Sequence, residues 1–333
     1  MKKSIKEEIK RDIKRNYKYY IFLIFVFLLV VIRLDYYIYS PGSLIDLTDR
    51  IEVENAYPQS GNFNLTYVTS RSGNLLNVIL SYIIPSWDLE KVDDMRIQDE
   101  STKAIEERDK IYLKETSYDA IIAAFSEAGL PYTIESNDIT VTYVMNEADT
   151  DIKVNDIIKS VNGIEINNYE ELTNVISQYK EKDRINIKVI RDSKELDCYS
   201  ILYKEEDRVL IGITLAQIKK IKTTPDVEYV FKNNESGSSR GLMCALDIYN
   251  KITSFDLTKG RVIAGTGSID ENGNIGSIGG VKYKLIGAVK KKADIFIVPS
   301  ENYEEALKIK EENNYKIEII EGDTLHNVIE KLK

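Results

Sequence analysis

Gly237-Ser238-Ser239-Arg240-Gly241, followed further along by Gly265-Thr266-Gly267 and Ile278-Gly279-Gly280-Val281-Lys282-Tyr283-Lys284, is the part of the chain whose reading decides the fold. A serine between two nearby glycines, just ahead of an apolar helical stretch (Arg240–Ile252), has the shape of a nucleophile loop. A serine hydroxyl is a poor nucleophile at its own pKa and needs a base beside it. The chain of 333 residues holds a single histidine, His326. The base for Ser239 is therefore either His326 or another group, and Lys284 is the candidate. With His326 as base, Gly237-x-Ser239-x-Gly241 reads as the nucleophile elbow of a Ser-His α/β-hydrolase.

The surroundings of Ser239 favour an α/β arrangement. Val262–Ser268 and Ile275–Ile278 read as strands around an Asn272-Gly273 turn, and Lys282–Lys292 as a helix. Asp294–Val298, Glu301–Asn313, Ile317–Ile320 and Asp323–Leu332 then alternate strand, helix, strand, helix. Upstream, the period changes. Ile139-Thr-Val-Thr-Tyr-Val144 alternates as a strand, Val154–Gly163 runs into an Asn162-Gly163 hairpin turn, and Tyr169–Lys180 repeats apolar residues on one helix face. Ile185–Ile190 and Leu196–Leu202 complete the set as strands joined at Asp192-Ser193. Further upstream, Ile51–Val53 and Phe63–Val68 read as strands and Leu75–Ile84 as a helix. Asp99–Lys114 reads as an exposed charged helix, and a capping box at Thr116 and Asp119 opens a second helix that stops at Gly129.

The amino-terminal end is different again. Eight basic residues between Lys2 and Lys18 face three acidic ones, and then fourteen residues from Tyr19 to Ile32 carry no charge. As a helix that run rises about 21 Å, against a hydrocarbon core of about 30 Å. Extended through Arg33 and Asp35 to Tyr39 it reaches about 31 Å, with tyrosines near an interface. Residues 19–39 are therefore expected to form a transmembrane anchor. Residues 1–18 would be a cytoplasmic tail and everything beyond would be extracytoplasmic, a single-pass cell-membrane location.

Composition excludes several functions. A net charge of −9 does not suit a phosphate backbone, so no nucleic acid partner is expected. Two cysteines, Cys198 and Cys244, and one histidine cannot build a Cys-rich or His-dependent metal site. Gly265–Gly280 does not match a dinucleotide fingerprint, and no Gly-Lys-Ser/Thr phosphate loop occurs. No cofactor or metal is expected.

Two resemblances organise these pieces. The run Val-Asn-Asp-Ile-Ile-Lys-Ser-Val-Asn-Gly (154–163) with its flanking elements resembles a PDZ domain of the bacterial, protease-associated type, over 132–203. The resemblance implies a peptide groove between Ile139–Val144 and the helix at Tyr169–Lys180, although no carboxylate-binding loop precedes Ile139. The section from Ser236 to Pro299 resembles the Lon proteolytic domain, over an expected 211–333. Its nucleophile loop is matched by Gly237–Gly241, its Thr-Gly pair by Thr266-Gly267, and its Gly-Gly-x-x-x-Lys block by Gly279–Lys284. Ser236, Ser238 and Arg240 depart from the family's Gly, Pro and Ala.

The combination resembles the membrane-anchored Lon-like PDZ proteases of bacteria. It implies an α/β (α+β) proteolytic domain, with 41–131 contributing its opening, and a β-rich PDZ module inserted into it. It also implies a Ser239–Lys284 dyad supported by Thr266, Gly237 and Ser238. ATP-independent endopeptidase action on peptides or proteins follows, with a homo-oligomer as an expectation. An inactive descendant that only binds peptides is the competing reading.

Overall fold

The computed structural model describes residues 2–92, 100–230, 232 and 237–333. Asp99 and Ser236 lie outside the described residues. Two compact units can be distinguished, one made of 1–42 and 68–96, the other of 43–67 and 97–333.

In the first unit, α1 (Lys2–Val31) is kinked at Asn16, whose φ of −111° and ψ of 19° are not helical. It gives way to β1 (Arg33–Asp46), and β2 (Ile51–Val53) and β3 (Asn62–Asn74) follow in the chain. α2 (Leu75–Ser81) is capped by the Asn74 side chain, which accepts from Asn77 N at 2.8 Å. β4 (Asp88–Lys91) pairs antiparallel with β1, Tyr36 facing Lys91 and Tyr39 facing Asp88. The expected anchor is corrected here. Helix α1 ends at Val31, and the Tyr36-Tyr37-Ile38-Tyr39 segment, rich in strand formers, extends into β1 rather than prolonging the helix. The apolar helical part, Tyr19–Val31, is then about 20 Å long. Among the described residues no helix is long and apolar enough to cross a membrane.

The second unit begins its helices with α3 (Thr102–Glu127), one continuous element capped by Ser101. The expected start at Thr116 is overruled: Thr116 is buried inside α3, because Ala120–Phe125 and the turns before them form one packed surface against the core. Gly129, at φ +67°, ends the helix, and Leu130 N reaches back to Phe125 O at 2.9 Å.

Next come β5 (Tyr132–Val144), β6 (Asp149–Thr150), β7 (Ile157–Val161), β8 (Ile164–Glu165), α4 (Tyr169–Ile176), β9 (Arg184–Arg191) and β10 (Lys194–Ile201). The short hairpin β11 (Tyr203–Glu205) and β12 (Arg208–Leu210) leads to β13 (Ile213–Thr223). These strands form a sheet in the order β13-β5-β7-β9-β10-β6, over a core that includes Ile158, Ile185, Ile187 and Val189. Asp156, fully buried, is held by Arg191 through two bonds of 2.7 and 2.6 Å. The groove expected beside Ile139–Val144 is not there: β7 takes one edge of β5 and β13 takes the other.

After β14 (Val227–Tyr229), helix α5 (Gly241–Ile252) is buried along its whole length. The chain continues through β15 (Val262–Gly265), β16 (Ser268–Ile269), β17 (Ile275–Gly276), α6 (Val281–Lys290), β18 (Ile295–Pro299), α7 (Ser300–Glu312), β19 (Glu318–Gly322) and α8 (Leu325–Leu332). β19, β18, β15 and β3 lie side by side and parallel, with Val262 opposite Asn62 and Gly265 opposite Leu65. The segment holding β3 thus builds the same sheet as the strands following Ser239, while β5–β10 lie between them in sequence. Phe63, Leu65, Ile263, Ile295 and Ile297 join α5 in one core. Apolar strands beside a fully buried helix are what a parallel sheet demands.

Candidate active site

The loop carrying Ser239 enters α5 without a side-chain cap. Gly237, at φ +92°, takes a backbone conformation open to glycine and disfavoured for other residues. Two bonds tie the loop to α3: Gly237 N donates to Asp109 O at 3.3 Å, and Thr116 Oγ1 donates to Ser238 O at 3.3 Å. The approach is close enough that a Cβ on Gly241 would stand 2.6 Å from Thr116 Oγ1.

The Ser239 carbonyl is fixed from the other side. Gly267 N donates to it at 2.9 Å and Thr266 Oγ1 at 3.1 Å. With its hydrogen committed to Ser239 O, the fully buried Thr266 hydroxyl offers its lone pairs as acceptor. Lys284 Nζ donates to it at 3.0 Å. Thr266 N donates in turn to Ile297 O at 3.0 Å, so the bridge is anchored on β18.

Lys284 lies one turn into α6, on a helix that starts from Gly280 at φ +75°. Its neighbours Val281, Leu285 and Ala288 belong to a core with Ala264 and Phe296. The side chain is 5% exposed, and burial lowers its pKa from 10.5 to about 8. Burial is the cause, because desolvation disfavours the charged amine. Arg240, the departure beside Ser239, is itself buried at the start of α5.

Thr266 thus links Lys284 to Ser239 through the serine's backbone carbonyl, with Gly237 and Ser238 forming the approach to Ser239; among the described residues no hydrogen bond joins the Ser239 hydroxyl to Lys284. His326 is on α8, where its ring meets Glu127 Oε1 at 2.8 Å with 68% of the side chain exposed. Among the described residues no hydrogen bond joins it to Ser239. Two supporting residues were missed by sequence reasoning. Thr116 reaches Ser238 from a helix remote in sequence, and nothing local signals it. Asn302 receives Ile278 N at 2.9 Å and donates to Ile278 O at 3.1 Å, clamping the strand end before Gly279-Gly280. Its position two residues into α7 resembles any surface asparagine.

Residues 233–333 match the family profile of the Lon protease (S16) C-terminal proteolytic domain, and residues 126–199 match that of the PDZ domain. The peroxisomal Lon protease homolog 2 of Caenorhabditis briggsae is 30% identical over 99 residues, 30% of this chain and 12% of that protein. The Lon protease of Campylobacter jejuni is 44% identical over 69 residues, 20% of this chain and 9% of its own length. Matched stretches therefore span about an eighth or less of these curated relatives. A solved PDZ domain of the SdrC-like protein from Listeria monocytogenes is 22% identical and covers 25% of this chain and 90% of its own, with a TM-score of 0.22. The chain carries a Lon-type proteolytic domain together with a PDZ domain, the combination of the Lon-like PDZ proteases.

Proposed function

We propose that the protein is a serine endopeptidase in which Ser239 is the nucleophile and Lys284 its general base. The observation that carries this reading is the buried Lys284 ammonium, lowered to about 8 and linked through Thr266 to the Ser239 carbonyl. An amine of pKa about 8 is neutral in roughly a tenth of molecules at pH 7, against well under a thousandth for a free lysine. Neutral Lys284 takes the proton of the Ser239 hydroxyl as the oxygen attacks the scissile carbonyl. Free backbone N–H groups at the start of α5 are suited to the developing oxyanion. The protonated lysine then gives its proton to the departing amine, and water activated by the same amine hydrolyses the acyl-enzyme. Thr266 keeps the amine oriented throughout.

ATP-independent cleavage of unfolded or extended polypeptides, expected from the family resemblance, is part of the proposal. The cellular address in this proposal is the extracytoplasmic face of a cell membrane, which helix α1 lies against rather than crosses. It rests on the exposed apolar residues Ile21–Ile32 beside a basic segment. Protease accessibility of the domain in intact cells tests it. A homo-oligomer, expected from family resemblance, is read by sedimentation.

The decisive experiment uses purified protein and casein without ATP. Wild-type protein cleaves; Ser239→Ala and Lys284→Ala do not; His326→Ala does. Loss of cleavage in His326→Ala would transfer the base role to the histidine. Absence of wild-type cleavage would leave the peptide-binding descendant instead.

A further inference from the structure

β13 ends its sheet, and its outer edge is where an extended peptide could add a strand to the PDZ module. That edge is already engaged, by side chains rather than by backbone. The Tyr169 hydroxyl, from the first residue of α4, donates to Leu215 O. One carboxylate oxygen of Glu115, on α3, accepts from Gln217 N at 2.7 Å. Leu215 and Gln217 are two apart on the strand, so both groups point away from β5, the side on which an added strand would pair. A peptide pairing there needs both groups.

The two side chains also sense each other. Glu115 is partly buried, and burial raises its carboxyl above the usual range, while the Gln217 N–H and the Lys219 ammonium oppose that rise. Burial, then the charges of Glu115 and Tyr112, raise the Tyr169 phenol. Tyr112 and Glu115 sit one turn apart on α3, so a helix of the proteolytic unit overlies the strand edge of the PDZ module.

We propose that Glu115 and Tyr169 form a latch that occupies the peptide-pairing groups of β13 in cis, so that uptake of an extended peptide by the PDZ module requires its release. The occupant displaced into the slot is a polypeptide strand, held by main-chain bonds to Leu215 O and Gln217 N. Covering an exposed edge is a general protection against unwanted pairing. A side-chain latch differs from a packed cover because its two hydrogen bonds can open while α3 stays packed through Ile111, Thr116 and Ala120–Phe125. Glu115 directly precedes Thr116, which holds Ser238 O, so latch and nucleophile loop are served by consecutive residues of one helix. The proposal rests on peptide uptake by the PDZ domain and does not depend on the identity of the nucleophile.

The test uses the full chain and a fluorescein-labelled octapeptide of alternating threonine and valine with a free carboxylate. Binding is followed by anisotropy, and exchange of the Gln217 amide by hydrogen–deuterium exchange. In a Glu115→Ala/Tyr169→Phe protein the peptide binds at least about tenfold tighter than in wild type, and the Gln217 amide exchanges faster by a similar factor. Glu115→Gln, whose amide oxygen still accepts from Gln217 N, stays close to wild type in both readouts. Tyr169→Phe alone, the least disruptive change, falls between the two. Equal, measurable peptide affinity in wild type and the double variant overturns the latch alone. No binding to either protein overturns both the latch and the peptide-uptake reading. Unchanged Gln217 exchange in Glu115→Ala/Tyr169→Phe also overturns the latch.

Discussion

Replacing Lys284 with methionine keeps the length of the side chain in its apolar pocket and removes the charge. The structure sets the size of the effect. Burial moves the lysine from 10.5 to about 8, so the folded protein binds this proton more weakly than the unfolded chain. Unfolding then takes up protons between pH 8 and 10.5, and stability rises with pH across that window. The stability that neutral Lys284 allows is present above its unfolded pKa and is lost as pH falls through about 8. Relative to Lys284→Met, wild type is penalised by about 3 kcal/mol at pH 7 and by about 1.4 kcal/mol at pH 9.5. Urea unfolding of both proteins at the two pH values should therefore show their stability difference moving by about 2 kcal/mol in favour of wild type. At pH 7 the methionine variant should be the more stable protein while being inactive, with kcat lower by about 10²–10⁴. A stability difference that does not change with pH would refute a buried, depressed lysine, whatever the activity data say.

Thr266→Val keeps the shape of the bridge and removes its hydroxyl; the buried Lys284 amine loses its hydrogen-bond partner, and cleavage should fall by about 10–100-fold, with a loss of about 1–3 kcal/mol in denaturant unfolding. Gly241→Ala brings a Cβ to 2.6 Å from Thr116 Oγ1 and 3.0 Å from Ile269 N, and should destabilise by about 1–3 kcal/mol and slow cleavage through the displaced Ser239. Asp119 on α3 is raised to about 7, chiefly by burial, with Lys219 opposing and Glu115, Glu271 and Asp270 adding to the rise. Its folded pKa exceeds its unfolded one, so its contribution is full below about 4 and is lost as pH rises through 7. Asp119→Asn should therefore gain roughly 1–2 kcal/mol over wild type at pH 8, after discounting for solvent screening, and the gain should vanish toward pH 4 in paired urea titrations.

Much of the site could be read from local sequence because its parts are short and separated. Gly237–Gly241, Thr266-Gly267 and Gly279–Lys284 each need a glycine where backbone comes close or turns left-handed, and each carries one reactive side chain. The strands and helices after Val262 were equally legible, since apolar runs such as Ile295–Val298 and the face of Leu325–Leu332 state their period directly. What failed was set by tertiary context. Arg33–Tyr39 follows an apolar run, and its place in a sheet between β3 and β4 makes it a strand. Thr116 resembles a cap, yet the helix passes through it because Ala120–Phe125 packs into the core. Ile213–Thr223 alternates only weakly before ending in lysines, and its partnership with Tyr132–Val144 spans most of the PDZ module in sequence. Asn302, Thr116 and Glu115 act through one or two hydrogen bonds to distant backbone, a role that leaves no pattern.

The central claim is most directly tested by acylating the nucleophile as a function of pH. Purified protein is mixed with an activated nitrophenyl ester, the burst of nitrophenol is timed from pH 6 to 10, and the modified residue is located by peptide mass spectrometry. The account predicts acyl-Ser239, a burst rate rising with a midpoint at about 8, and no such rise in Lys284→Met. Label on another residue, or an equally fast burst in Lys284→Met, would contradict it.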